Sequence, residues 1–141
     1  MTVWRSVFMR IPTPYRYIFF KLHDFFYRRF RNPWESKLTG VIVISYPPAI
    51  FCDAAILYLT RLAGVATPYE SLGRWTYILL LFFSFYAIHY FLLAVGHKAE
   101  EIHRYYSRRA ASPSLSERIS LAAFLVSPIV GHYLQFRALA Y

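Results

Sequence analysis

Three apolar stretches divide the chain, and the first of them, residues 40–62, organises the rest. Its first 21 residues carry a single formal charge, Asp53, and contain the pair Pro47-Pro48. About 20 apolar residues, each rising ~1.5 Å in a helix, cross a ~30 Å hydrocarbon core. The length therefore predicts a transmembrane helix over about residues 40–61, with a kink at the prolines because proline removes a backbone hydrogen bond.

The other two apolar stretches predict two further membrane segments. Residues 76–96 carry no formal charge over 21 positions, which predicts a second span that forms a hairpin with the first. Residues 119–136 give 18 uncharged positions, interrupted by Pro128. This third, shorter membrane segment either spans the bilayer or dips in from one side, and we expect it to span.

A helix with two different faces precedes the first span at residues 15–31, YRYIFFKLHDFFYRRFR. Charged residues recur at helical spacing on one side, and aromatic and aliphatic residues cover the other. Such a helix either lies in the headgroup plane over anionic lipid or packs its apolar side on a partner subunit. Asn32-Pro33 should end the helix, because a residue before proline disfavours helical backbone, and 34–38 should be a linker.

Polar sequence surrounds the second span. The 61–75 segment is expected to be a loop, since glycine and proline punctuate it. After the span, HKAEEIHRYYSRRAA mixes both charge signs and is expected to continue the second helix. The sequence SPSLSE that follows predicts a helix start, with Ser114 as N-cap and Glu117 three residues later as its capping-box partner.

Together these elements predict an all-α membrane protein with an N-terminal interfacial amphipathic helix, a transmembrane helical hairpin and the third membrane segment. The expected regions are a basic aromatic interfacial region (1–38), the hairpin (39–97), a polar basic connector (98–118) and the third segment with its tail (119–141). Of all residues, 57% are hydrophobic, 21% aromatic and only 16% charged. Soluble domains carry about 25% charged residues, so this chain has too little polar surface for a water-facing globule.

Composition and motifs also exclude several classes of function. The single cysteine, Cys52, allows no disulfide framework or paired-cysteine metal site, and the sequence contains no phosphate loop or hydrolase motif. Basic residues alternate with aromatic ones, but in a chain with membrane spans the lipid surface explains that pattern better than nucleic acid does. We therefore expect no catalytic residue, no metal, no cofactor except bound phospholipid, and no nucleic-acid partner.

Lysine and arginine are unevenly distributed, which predicts an orientation. Eight lie in residues 1–39, two in 61–75 and five in 97–118. By the positive-inside rule, the N-terminal region and the 97–118 segment share the matrix or cytoplasmic side, and the 61–75 loop faces the other side.

Polar groups at bilayer depth are the candidate functional residues. Ser45, Ala49 and Asp53 recur four apart, and such a small, partly polar face suits close helix contact. A carboxylate at bilayer depth costs roughly 2.5–3.5 kcal/mol, so Asp53 should face protein or water. Depth calculated from helical rise pairs it with His132 of the third segment or with the Ser84 hydroxyl of the second.

Two sharper interpretations of these groups stand beside a structural one. Asp53 could belong to a proton path, but such a path usually needs a relay of ionisable groups, and the spans offer one carboxylate. His89 and His132 could each reach a haem, but their depths differ. We prefer a structural carboxylate that fixes helix packing through hydrogen bonds, and histidines bonded within the core.

Anionic lipid is the expected ligand of the N-terminal region. Arg28, Arg29 and Arg31 lie at the end of the amphipathic helix, and Lys37 lies just before the first span. Basic residues next to a membrane span attract acidic headgroups, so we expect these four to bind a cardiolipin-type phospholipid.

The segment from YRYIFFKLHDFFYRRFR through GVIVISYPPAIF resembles the f subunit of the mitochondrial ATP synthase membrane sector. In that family an aromatic and basic segment precedes a single, glycine-containing span. Pro47-Pro48, Asp53 and everything after Leu62 depart from the family. The resemblance implies scaffolding near the proton channel and the dimer contact, with lipid held at the interface, and it carries over no catalytic residue.

We therefore expect a non-catalytic structural or assembly subunit, multi-pass in the mitochondrial inner membrane, with its N-terminus on the matrix side. Its expected partners are larger membrane subunits of an energy-transducing complex, first the proton-translocating sector of ATP synthase, together with anionic lipid such as cardiolipin. The alternative is an accessory or anchor subunit of a respiratory-chain redox complex. A free-standing small carrier or channel is disfavoured, because the spans hold few polar groups.

Overall fold

In a computed structural model, the chain is helical with short connections over the residues that the structure describes, 13–109 and 112–140. Within those ranges the helices are α1 (Thr13–Phe30), α2 (Pro33–Leu62), α3 (Pro68–Leu72), α4 (Arg74–Leu93), α5 (Lys98–Arg108) and α6 (Leu115–Ala140).

Three of these helices are long and apolar enough to cross a membrane: α2 with 30 residues, α4 with 20 and α6 with 26. The prediction of an all-α membrane protein is confirmed at this level. The third segment is not the shorter one, because α6 begins before the apolar run, continues through Pro128 and exceeds α4 in length. An α6 of this length suits spanning better than dipping in from one side.

The central helix is α2, which packs against α1, α4 and α6. In its most apolar stretch 56% of the residues are buried, against 17% in α4 and 6% in α6. A helix that is apolar all round is stable where neighbours cover it, and α2 occupies that place. The other two long helices therefore present most of their surface outward.

A two-residue turn joins α1 to α2 and reverses the chain. Arg31 adopts a left-handed backbone with φ 55°. Asn32 is extended and caps α2, its Oδ1 accepting a hydrogen bond from the Trp34 amide at 3.0 Å. Residues 34–38 are thus the first turns of α2, and the prediction of a linker was wrong. Asn-Pro does end α1 as expected, but a capping residue followed by proline also starts the next helix.

The amphipathic helix α1 packs on its own chain along the first half of α2. Its inner face, Tyr17, Ile18, Phe19 and His23, is buried. Gly40 of α2 permits the close approach, since a Cβ there would lie 3.3 Å from the Phe19 ring. The sequence predicted that this face meets the headgroup plane or a partner subunit. It did not predict the observed contact with α2 of the same chain.

The polar segment after α4 folds back as a separate helix, α5, and does not continue α4 as predicted. Gly96, with φ 67°, allows the chain to leave the α4 direction. The apolar side of α5 buries Ala99, Ile102 and Tyr106. The Tyr106 hydroxyl donates to the Thr13 carbonyl at 2.9 Å, and its ring stacks on Phe20 at 5.2 Å. The core is therefore shared by α1, α2 and α5, with the end of α4.

Two capping boxes start helices in the remaining connections. The predicted one is confirmed: the Ser114 amide donates to Glu117 Oε2 at 2.7 Å, and the Glu117 amide to Ser114 Oγ at 3.3 Å. The second, Thr67 with Glu70, starts α3 inside the segment expected to be a loop. Its sequence, T-P-Y-E, carried the same signal and was missed.

Gly131 sets the distance between α6 and α2. A Cβ at this position would lie 2.7 Å from Ile50 Cγ2 and 3.4 Å from Ile50 Cβ. Since both atoms lie on the β-branched part of Ile50, the side chain has little freedom to move away.

Gly131→Ala is expected to destabilise the protein by about 1–3 kcal/mol, because the added methyl group overpacks this contact. Ile50→Ala removes the atom that would clash, so the double variant should be more stable than the sum of the two single losses predicts. Thermal unfolding of the purified chain in mild detergent measures both. Strict additivity of the two changes would show that the contact does not limit the approach of α6.

Candidate functional site

A cavity of about 210 Å³ opens between α4 and α6 above the middle of α2. We call it the cleft. Its walls are formed by Tyr46, Ala49, Ile50 and Asp53 from α2, Arg74, Ile78, Leu81 and Phe82 from α4, and His132 and Gln135 from α6. Apart from Arg74, apolar side chains make up its α4 wall, whereas the other hydrogen-bonding side chains lie on α2 and α6.

Asp53 is the charged residue at the base of the cleft, and its side chain is bonded to two other elements. It is 3% exposed. Its Oδ2 accepts a hydrogen bond from the Tyr69 hydroxyl of α3 at 2.7 Å and another from the Gln135 amide of α6. Its Oδ1 is buried without a hydrogen-bond partner among the residues that the structure describes. One carboxylate oxygen therefore ties α2, α3 and α6 together.

The hydrogen bonds continue along the boundary between α2 and α6. Gln135 uses its Nε2 for Asp53, so its Oε1 is the acceptor that lies 3.2 Å from His132 Nδ1. His132 must then donate from Nδ1, and in its neutral form it accepts at Nε2 from the Tyr46 hydroxyl, 2.8 Å away. We call the connected residues Tyr69, Asp53, Gln135, His132 and Tyr46 the polar seam. Since Gln135 does not titrate, the seam is suited to positioning side chains rather than to relaying protons.

The aromatic end of the seam keeps its proton. Burial, assisted by the hydrogen bond to Asp53, raises the pKa of Tyr69 to about 12. Tyr69 is therefore a donor to the carboxylate at physiological pH. The ring of Tyr77 packs edge-on against it at 5.3 Å between centroids, and the Tyr77 hydroxyl is buried without a hydrogen-bond partner in the described part of the chain.

The structure brings together only some of the residues predicted to line this site. Ser45, Ala49 and Asp53 are all buried, as expected of a packing face on α2. Ser45, however, donates to the Val41 carbonyl of its own helix at 2.6 Å. Ser84 is exposed and likewise donates within its own helix, to the Leu80 carbonyl at 2.7 Å.

The predicted direct partners of Asp53 were wrong. Ser84 points elsewhere, and His132 reaches Asp53 only through Gln135, which lies three positions further along α6. Helical rise gives the depth of a residue, but the rotation of α6 about its axis decides which residue of a turn faces α2. Tyr69 was missed because it lies in a connection whose capping box had not been recognised.

The four predicted lipid-binding residues do not form one surface. Lys37 is buried, 3.6 Å from Glu100 Oε1 and 5.0 Å from the centre of the Trp34 ring, so it serves α2–α5 packing and not lipid. Arg28 is exposed and pairs with Asp24 at 3.0 Å. Arg29 and Arg31 are exposed next to it. We call Arg28, Arg29 and Arg31 the turn arginines, and their binding of lipid stays a prediction. Lys37 does not lie on the same surface.

Of the two histidines considered for haem, His132 belongs to the polar seam and His89 to the core. His89 is buried, its Nδ1 lies 2.8 Å from the Phe85 carbonyl, and its ring packs on Tyr15 at 5.7 Å. Hydrogen bonding within its own helix and aromatic contact account for this side chain. No group of three metal-binding side chains occurs within residues 13–109 and 112–140.

A pair of histidines lies between α1 and α5. The rings of His23 and His103 meet nearly perpendicular at 5.4 Å. Burial lowers the pKa of His23, and the neighbouring His103 lowers it further, while Glu100 and Asp24 partly oppose the shift. The Nδ1 of His23 is buried without a hydrogen-bond partner among the described residues. His23 therefore packs as a neutral side chain at physiological pH.

Comparison of the chain with protein-family models, with curated proteins and with solved structures finds no significant match. The geometry and chemistry of the cleft are therefore the basis for a functional assignment.

Replacing Asp53 distinguishes a structural carboxylate from one that needs its charge. Asp53→Asn keeps an acceptor oxygen and should leave stability and assembly nearly unchanged. Asp53→Ala leaves two donors unpaired and should destabilise the protein by about 1–3 kcal/mol. Ser84→Ala is the matched control and should resemble wild type in the same thermal unfolding assay. Normal assembly of the Asn variant combined with loss of proton translocation would overturn the structural role.

Acidification should weaken the contact between α1 and α5. Since the pKa of His23 is lower in the folded protein than its ordinary value of 6.5, the unfolded chain binds this proton more readily. The contribution of His23 to stability is complete above pH 6.5 and is lost as the pH falls below that value.

The midpoint of thermal unfolding, compared at about pH 7.5 and about pH 5.5, should therefore decrease with acidification, and His23→Gln should reduce this decrease. His97→Gln, which changes an exposed histidine, should retain the wild-type decrease. An identical pH dependence of wild type and His23→Gln would contradict the assignment.

Proposed function

We propose that this chain is a non-catalytic structural subunit of a larger membrane complex, and that a transmembrane helix of a larger subunit packs over the cleft and inserts side chains into it. The supporting observation is the small group of polar side chains in a mainly apolar cleft. Tyr46 and His132 are exposed on its walls, and the Oδ1 of Asp53 at its base is buried without a partner among the described residues. These groups lie several turns from the ends of α2 and α6, two helices that are apolar enough to cross a bilayer.

Depth makes this arrangement unfavourable next to lipid. Asp53 lies nine positions before the end of α2, or roughly 13 Å along the helix axis, and His132 lies eight before the end of α6, or roughly 12 Å. An unsatisfied polar group in hydrocarbon costs several kcal/mol, because no water is present to bond it. A partner helix packed over the cleft would replace the lipid next to the polar side chains of the cleft.

The occupant needs a particular chemistry. Polar side chains on its cleft-facing side would contact the exposed Tyr46 and His132, and apolar residues would pack on Ile78, Leu81 and Phe82. Arg74 lies at the rim of the cleft and would favour an acceptor at that end. In this proposal Asp53 holds α2, α3 and α6 together at the base of the cleft and performs no chemistry.

The identity of the complex rests on the family resemblance. The resemblance of residues 15–51 to the f subunit favours the proton-translocating sector of a mitochondrial ATP synthase, in the inner membrane with the N-terminus on the matrix side. The turn arginines would then meet cardiolipin-type headgroups on that side. A respiratory redox complex is the alternative, and the identity of the cleft partner separates the two.

Site-specific photo-crosslinking tests the proposal in native membranes. A photoreactive residue at Leu81, on the cleft wall, should form an adduct with a larger membrane protein. The matched control is Leu80, one position away, which is 57% exposed and not part of the cleft; it should form little adduct with that protein. Mass spectrometry of the Leu81 adduct identifies the complex.

Native electrophoresis after mild detergent should place the chain in one large assembly. An adduct of two copies of this chain would show that a second copy fills the cleft and would overturn the larger-subunit partner. Migration of the chain alone, with equal and weak crosslinking from both positions, would rule out both subunit assignments.

A further inference from the structure

A second cavity, of about 450 Å³, lies between α1 and α5 next to the turn that joins α1 to α2. We call it the basic groove. Its walls include His23 and Tyr27 from α1 and His103, Arg104, Ser107 and Arg108 from α5. Pro33 and Glu100 complete the walls, and none of these residues belongs to the polar seam.

Two arginines give the basic groove positive charge that is not neutralised locally. Arg104 and Arg108 lie one turn apart on α5, and both are exposed. Neither forms an ion pair or hydrogen bond with another residue that the structure describes. Two guanidinium groups four positions apart on a helix project to the same side, so both can reach one ligand.

The acidic groups nearby are already engaged. Glu100, which also lines the basic groove, lies 3.6 Å from Lys37, and Asp24 lies 3.0 Å from Arg28. These two pairs leave the charges of the groove arginines available for an anion from outside the chain.

Further hydrogen-bonding groups surround the arginines. His23 lies at the buried side of the groove, 8% exposed, and its Nδ1 has no partner within the described ranges. The Ser107 hydroxyl lies 3.4 Å from His103 Nδ1, and the Tyr27 ring stacks on His23 at 6.2 Å. A buried polar atom without a partner beside two unpaired guanidinium groups is the feature that points to a missing ligand.

We propose that the basic groove binds a phosphate-bearing anion, held by Arg104 and Arg108, with His23 and Ser107 as neighbouring hydrogen-bonding groups. The guanidinium group is a planar fork of donors that matches two phosphate oxygens at once. The volume of about 450 Å³ lies in the range of small-molecule sites and accommodates a phosphorylated headgroup or a soluble phosphate ester. The site is separate from the turn arginines, and it does not depend on the proposed subunit role.

Isothermal titration calorimetry on the full chain in neutral detergent tests the site with two probes: short-chain phosphatidylglycerol and inorganic phosphate. The double variant Arg104→Gln/Arg108→Gln should bind the effective probe at least about tenfold more weakly than wild type, since it loses two charged donors. Arg61→Gln/Arg118→Gln removes the same charge from exposed arginines elsewhere and should bind like wild type. Because both groove arginines are exposed, the groove variant should unfold at the wild-type temperature.

The two probes separate the possible sources of the phosphate. Arginine-dependent binding of phosphatidylglycerol but not of inorganic phosphate identifies a lipid headgroup, whereas arginine-dependent binding of inorganic phosphate identifies a soluble ester; both support the site. Binding lost only in Arg28→Gln/Arg29→Gln/Arg31→Gln would place the anion on the turn arginines and overturn the proposal. Equal binding by all variants, or no binding of either probe, would overturn it too.

Discussion

The fold depends on the burial of α2 between α1, α4 and α6. An apolar helix is covered by lipid as readily as by protein, so hydrophobicity alone does not hold such helices together. Close contact and polar pairing do so here. Gly40 lets α1 approach one part of α2, Gly131 brings α6 against Ile50, and Asp53 bonds to α3 and α6. Each contact uses a small or polar residue that a uniformly apolar span would lack.

The two candidate sites differ in how their charge is neutralised. Asp53 is buried, and the polar seam bonds its Oδ2. Its Oδ1 has no hydrogen-bond partner among the described residues. Arg104 and Arg108 are exposed and unpaired among the described residues, so their guanidinium groups can bind an anion. We therefore proposed a protein helix as the partner of the cleft and a phosphate group as the ligand of the basic groove. The cleft and the basic groove are formed by different residues, so the two proposed contacts lie on different surfaces.

The helices α1 and α5, which are not among the three spans, separate the basic groove from the cleft. The hairpin of α1 and α2, with α5 folded onto it, buries Lys37 against Glu100 and removes that lysine from the lipid-facing charges. The same folding places the α5 arginines beside the α1–α2 turn, where together with the turn arginines they concentrate positive charge at one end of α2. Basic residues at one end of a membrane bundle are the arrangement expected near an anionic leaflet.

The sequence by itself determined the three apolar helices and two of the helix boundaries. Uncharged runs located three long apolar helices, Asn32-Pro33 marked the end of α1, and Ser114 with Glu117 marked the start of α6, because length, capping and proline act locally. The tertiary structure decided which side chains meet. Asp53 pairs with Tyr69 and Gln135 rather than with Ser84 or His132, since helical rise fixes depth but not rotation.

The same limit applies to the charged residues. The spacing of Lys37 near the turn arginines suggested a common lipid surface, and the packing of α5 on α1 assigned it to Glu100 instead. The basic groove could not be foreseen, because Arg104 and His23 lie 81 positions apart and only the return of α5 across α1 brings them to one cavity. Local patterns set the helices of this protein, and contacts between distant segments set its candidate sites.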